Sequence, residues 1–172
     1  YAKKNAFQCI IAESPEDAAR KAVELVRRGE ADIVMKGFLN TDVLLRAILD
    51  KEVGILPKDT VLTHITVAKL PEYPKLLFFT DAAVIPAPND KQRRVQVQYI
   101  VDFCHAFEIE CPKIALIHCS EKVDERHFPY TVSYKALKAE AETGAFGKCT
   151  IDGPLDLITS CSVEAMKIKQ IN

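Results

Sequence analysis

A lysine, a glycine and a helix start stand together at Met35-Lys36-Gly37-Phe38-Leu39-Asn40-Thr41, with Arg46 one turn further along. These are residue types that hold an anion. Gly37 leaves room for a ligand to approach the backbone, and Lys36 brings a positive charge. A helix beginning at Thr41 offers N–H groups that have no intrahelical partner. Arg46 can give two parallel hydrogen bonds to a phosphate or carboxylate. The spacing matches neither a Walker loop nor G-x-G-x-x-G. Two readings therefore stand: a phosphate site, or a loop glycine with an ordinary cap and a solvated arginine. Two carboxylates also follow apolar runs. Asp81, preceded by Thr80, either acts on a ligand or braces the Pro86–Asp90 loop through turn hydrogen bonds. Asp152, in Asp152-Gly153-Pro154, has the same placement and the same two readings.

The remaining polar chemistry is scattered. His64, His105, His118 and His127 form no Ser-His-Asp or metal spacing. Cys104 and His105 are neighbours in a helix-like stretch, where adjacent side chains diverge by about 100°, against a thiolate pair on one face. Lys91, Arg93 and Arg94 cluster at a helix start and are expected to form a solvated surface, with contact to an anionic ligand as the second reading.

Elements that could position these residues follow from periodicity. Ala6 to Ile11 is a short apolar run read as a buried strand. Ser14-Pro15-Glu16-Asp17 then supplies a cap, a first-turn proline and acids, and a helix runs to Gly29. Ile33 to Met35 is a second strand, and Thr41 caps a helix through Leu49. This strand–helix alternation predicts a parallel sheet with crossover helices. Leu56 to Asp59 is a turn-rich joint. Two strands follow, Val61–Val67 and Lys75–Phe79, then a helix over Lys91–Phe107 with Val95, Tyr99, Val101, Phe103 and Ala106 available for burial. A strand at Ile114–Ile117, a helix at Thr131–Glu142 stopped by Gly144, and a strand at Cys149–Ile151 ended by Asp152-Gly153-Pro154 come next. A last helix starts near Ser162. The fold class is α/β, and open parallel sheets bind ligands at the carboxyl ends of their strands.

Composition narrows the function. The 172 residues are 48% hydrophobic and 27% charged, with 23 Lys+Arg against 24 Asp+Glu for a net charge of −1. The balance argues against a disordered chain and against a nucleic-acid binder held by a broad basic face. No stretch is long and apolar enough to cross a membrane. The six cysteines form no CxxC. Cys9, Cys119 and Cys149 lie within or at the end of apolar runs, and reduced thiols in a cytoplasmic protein are expected.

The run Gly29-Glu30-Ala31-Asp32-Ile33-Val34-Met35-Lys36-Gly37-Phe38-Leu39-Asn40-Thr41-Asp42-Val43-Leu44-Leu45-Arg46-Ala47 resembles the phosphate acetyl- and butyryltransferases. Three further stretches match in order: Leu76 to Asp81 with Pro86 shortly after, Phe107 to Ala115, and Ile151 to Leu155. The Met-Lys-Gly form resembles the butyryl branch more than the acetyl branch. The resemblance implies acyl-CoA plus phosphate giving acyl phosphate plus CoA, with no metal, no resident cofactor and no acyl-enzyme. Coenzyme A is then a substrate. It implies two α/β domains with largely parallel sheets, of isocitrate/isopropylmalate dehydrogenase-like architecture, and a site in the cleft between them. On that basis 1–57 is part of a first domain on the phosphate side, and 58–172 is a second domain lacking its C-terminal part. Lys36, Gly37, Asn40, Thr41 and Arg46 are expected to hold phosphate, and Thr80, Asp81, Asp152 and Gly153 to line the cleft. Family members run to about twice this length, so the chain is expected to be part of something longer. Their catalytic Ser-Arg pair and Asp lie in a segment that nothing here matches, so no catalytic residue is assigned. Ile158 stands where the family commonly has an Asp. A homodimer is implied as well. Two alternatives remain in view: a non-catalytic domain binding CoA or acyl phosphate, and an isopropylmalate-dehydrogenase-type oxidoreductase.

Overall fold

A computed structural model describes residues 7–71 and 73–170. The chain divides into two compact units, Tyr1–Thr60 and Val61–Asn172.

The first unit is built on two helices. α1 (Pro15–Arg27) begins where the Ser14 hydroxyl accepts from the Asp17 N–H, with Pro15 in the first turn. Its Ala19 and Val23 are buried. α2 (Thr41–Leu49) packs on it. Asn40, not Thr41, is the residue before the helix, and Thr41 is its first helical position. The two predicted strands do not form among the described residues of this unit; Ala6, in the first, lies outside those residues. Ile11 is 87% exposed, Ile33 81% and Met35 90%. A strand is defined by its ladder, and an apolar run without a pairing neighbour stays irregular.

The second unit holds the strands. β1 (Thr66–Ala68) and β2 (Leu77–Phe79) pair antiparallel, with Val67 opposite Phe78. Thus this sheet departs from the parallel expectation, because a short loop allows only a hairpin return. α3 (Asp90–Ala106) opens with a reciprocal cap between Asn89 and Gln92. Next come β3 (Lys113–Ile117), α4 (Tyr130–Glu142) and β4 (Thr150–Leu155). β3 and β4 are parallel, with Lys113 opposite Thr150 and Ile117 opposite Leu155. That is a strand–helix–strand unit, and its core gathers Val97, Val101, Leu116, Tyr134, Leu137, Ala141, Phe146 and Ile151. Short α5 (Leu157–Cys161) and α6 (Val163–Ile168) follow.

Three expectations change here. The buried face of α3 is Arg93, Gln96, Val97, Ile100, Val101 and Cys104, one step round from the face predicted. Phe103 and Phe107 instead make T-shaped contacts with Phe78, with centroids 6.0 and 5.5 Å away. β4 does not end at Asp152-Gly153-Pro154 but runs through it to Leu155. Gly153 can sit mid-strand because a Cβ there would lie 2.6 Å from the Leu116 carbonyl oxygen. Arg93 is no solvated residue. It is 9% exposed, donates to Asp90, Ser133 and the Pro88 carbonyl, and lies over the Tyr130 and Tyr134 rings.

Candidate functional site

In the first unit, Lys36 and Gly37 line a cavity of about 530 Å³ together with Ser14, Pro15, Leu39 and Leu44. The Asn40 side chain makes no capping bond, so the first-turn N–H groups of α2 are left without a side-chain partner. Lys36 Nζ meanwhile donates to the Leu39 carbonyl at 2.7 Å and the Gly37 carbonyl at 3.3 Å, which holds the loop in shape. Gly37 faces open space. Arg46 stands apart from that cavity. It lines a smaller hollow of about 260 Å³ with Asp42, Asp50 and Glu16, and its guanidinium lies 3.7 Å from Asp42. The structure therefore brings Lys36 and Gly37 together, places Asn40 and Thr41 at the adjoining helix start, and leaves Arg46 in an acidic neighbourhood.

Asp81 is occupied. One carboxylate oxygen accepts from the Thr63 hydroxyl at 2.7 Å and the His64 N–H at 3.1 Å; the other accepts from the Ala83 and Val84 N–H groups. Partial burial pushes its pKa up, but these donors outweigh it and hold the carboxyl well below the usual range. Thr80 joins through its hydroxyl, 3.2 Å from that of Thr63. The arrangement is a brace joining the chain before β1 to the chain after β2.

Asp152 likewise has partners: Lys138 at 2.8 Å and the Gly153 N–H at 2.9 Å. With β4 running to Leu155, the carboxylate at the strand's carboxyl end is Asp156. Its oxygens accept from the Thr159 N–H and hydroxyl and from Lys169, which also reaches Glu121. Lys169 holds the Asp156 carboxyl below its ordinary range, and the ammonium is raised in turn.

Beyond those strand ends lies a cavity of about 800 Å³, the size of a small-molecule site. His118, Phe128, Tyr130, Ile158 and Lys169 are among its walls. Sequence reasoning passed over it. The histidine spacing carries no motif, and the cue available was a buried strand ending in His118-Cys119. Cys9 and Cys119, which lie in or at the end of apolar runs, are exposed, and all six thiols are free. Among the described residues, no three His, Cys, Asp or Glu side chains gather as a metal site, and no helix is long and apolar enough to cross a membrane.

Comparison with known proteins identifies the lineage. The family described as phosphate acetyl/butaryl transferase matches residues 2–170. A phosphate butyryltransferase of Clostridium acetobutylicum is 38% identical across 97% of the chain and 55% of its own length. A phosphate acetyltransferase of Thermotoga maritima is 32% identical across 91% of the chain and 53% of its length. The crystal structure of a branched-chain phosphotransacylase from Enterococcus faecalis superposes with a TM-score of 0.83 at 27% identity, covering 99% of this chain and 60% of that one. The chain thus spans about half the length of the curated relatives it matches. These relatives favour neither the non-catalytic binding domain nor the dehydrogenase reading. The chain belongs to the phosphate acetyl/butyryl transferase family.

Proposed function

We propose that the protein carrying this chain transfers a short acyl group between coenzyme A and phosphate, with butyryl or branched-chain groups favoured over acetyl. The observation that carries the reading is the family match over residues 2–170, with a butyryltransferase and a branched-chain phosphotransacylase among the relatives. In the acyl-phosphate direction, a phosphate oxygen attacks the thioester carbonyl carbon. The C–O bond forms, the C–S bond breaks, and the thiolate leaves as CoA and takes a proton. The reverse reaction is direct attack by the thiol on the acyl phosphate. Such chemistry needs the anion positioned and the developing oxyanion stabilised. The first-turn N–H groups of α2, the open backbone at Gly37 and the Lys36 charge suit the first task. Arg46 joins them in this proposal, exchanging Asp42 for phosphate as its partner. No residue of the chain is assigned the proton transfer. Coenzyme A acts as a substrate beside inorganic phosphate, and the homodimer and the cytoplasmic location belong to the proposal.

The test is thiol release from butyryl-, isobutyryl- and acetyl-CoA by the complete protein. Release that depends on phosphate, fastest with the four-carbon groups, is expected. Release at the same rate without phosphate overturns the reading. Arg46→Ala raises the phosphate KM about tenfold or more, the loss of one charged contact; unchanged phosphate kinetics remove Arg46 from the site.

A further inference from the structure

The cavity beyond β3 and β4 has a use that the brace at Asp81 and the loop at Gly37 do not supply. Its walls include Ile117, Phe128, Leu157 and Ile158, which are 45%, 37%, 59% and 73% exposed in spite of their apolar side chains. Among them lies a polar group that is almost fully buried. His118 is 7% exposed, and its Nδ1 lies 2.9 Å from the Tyr130 hydroxyl. With that hydroxyl donating, the ring proton sits on Nε2, whose other contact is the Cys119 sulfur at 3.5 Å. A thiol is a weak partner, so the imidazole N–H keeps donor capacity for a ligand. The Phe128 ring packs against the imidazole in a T-shaped contact, with centroids 4.7 Å apart.

The charge at the rim selects the ligand. The charged walls are Asp156 and Lys169, which pair with each other, and Lys169 also pairs with Glu121. A phosphate-bearing group finds no uncommitted cation among these walls, whereas a neutral ligand needs none. Apolar walls beside the His118 ring nitrogen fit an apolar chain ending in a carbonyl.

We propose that this cavity binds the neutral acyl-thioester end of the substrate, with the acyl chain against Leu157 and Ile158 and a carbonyl oxygen accepting from His118 Nε2. The proposal rests on the acyltransferase reading and adds to it where the acyl chain lies. Ile158 then helps to set which chain is preferred, since its exposed side chain is free to contact the ligand.

S-butyrylpantetheine, which lacks the phosphates of coenzyme A, is the probe, titrated calorimetrically into the complete protein. Wild type binds it, and Leu157→Asp, a charge set on the exposed apolar wall, weakens binding at least tenfold while tyrosine fluorescence shows the fold intact. Absence of binding to wild type, or equal binding to the variant, overturns the proposal. Phosphate-dependent thiol release measured on the same preparations separates the two readings. A protein that turns over butyryl-CoA, with a KM that Leu157→Asp leaves unchanged, refutes the cavity and keeps the enzyme. A protein that binds the probe at this cavity and lacks turnover refutes the enzyme and keeps the cavity.

Discussion

The two units answer the same sequence rhythm differently. Each contains short apolar runs followed by a capped helix. In Val61–Asn172 the runs at Lys113–Ile117 and Thr150–Leu155 pair, and Leu116 and Ile151 fall to 7% and 3% exposure. In Tyr1–Thr60 the run at Ile33–Met35 pairs with nothing among the described residues, and Met35 is 90% exposed. An amphipathic helix completes its hydrogen bonds within itself and needs only something to pack on, whereas a strand needs a second strand at the right register. Consequently one unit has an eight-residue core cluster and the other has two helices meeting over Ala19 and Val23.

That difference can be broken most forcefully at Phe146. It is 1% exposed and belongs to the cluster between α3, α4 and the parallel strands. Phe146→Ala is expected to remove about 3–5 kcal/mol from the second unit, through lost transfer energy plus a residual cavity. Four of the five tyrosines, Tyr73, Tyr99, Tyr130 and Tyr134, lie in that unit and there is no tryptophan. Tyrosine fluorescence during urea unfolding therefore reports on it, and a midpoint unmoved by the substitution would mean the cluster is not its core. Gly153→Ala comes next, at about 1–3 kcal/mol or more, because the new methyl meets the Leu116 carbonyl oxygen and Cβ at 2.6 and 2.7 Å. Circular dichroism on heating checks it; an unchanged Tm would show that β3 and β4 can separate without loss.

Asp81 sharpens the comparison through pH. Its carboxyl titrates below the ordinary value near 4 because four donors favour the charged form. A depressed folded-state pKa gives stability that is fully present above the unfolded value and is lost as pH falls through the folded one. The second unit should therefore hold its urea midpoint from neutrality to about pH 5 on account of Asp81 and lose stability below about pH 4. Asp81→Asn should cost about 1–3 kcal/mol at pH 7 and flatten the acid limb. A variant as steep as wild type below pH 4 would assign that slope to other carboxylates.

How much was legible in the sequence follows the same division between local and non-local. The Ser14-Pro15 start of α1, the Asn89-Asp90 start of α3 and the stop at Gly144 are written in neighbouring residues, and they appear within a residue of expectation. Pairing and partner choice are not. Arg93 reads as surface by type, yet two tyrosines on α4, some 40 residues away, cover it. Asp152 reads as a strand end because Gly-Pro breaks strands, and the close approach of Leu116 that makes glycine fit there is invisible along the chain. The loop at Lys36-Gly37 could be read as a candidate anion site because glycine and a helix start are local signals. His118 was not, since its significance comes from Tyr130 and the ends of two strands.

The smallest stability effect should come at Gly37, and it is the cleanest contrast with Gly153. A Cβ built at Gly37 meets nothing within 4 Å, and the residue is absent from the positive-φ glycines. Gly37→Ala should therefore leave the urea and thermal midpoints within about 0.5 kcal/mol of wild type, as surface substitutions generally do. Yet the same methyl projects where phosphate would approach the loop backbone and the start of α2. If that loop holds the anion, the phosphate KM rises while the KM for butyryl-CoA stays level, a split that a purely structural glycine would not produce. Glycine at 153 is thus required by the close approach of the neighbouring strand, and under the proposed function glycine at 37 is required by what comes to bind. Steady-state kinetics on Gly37→Ala with phosphate varied decide the second claim. An unchanged phosphate KM would make Gly37 an ordinary loop residue and move the anion site elsewhere.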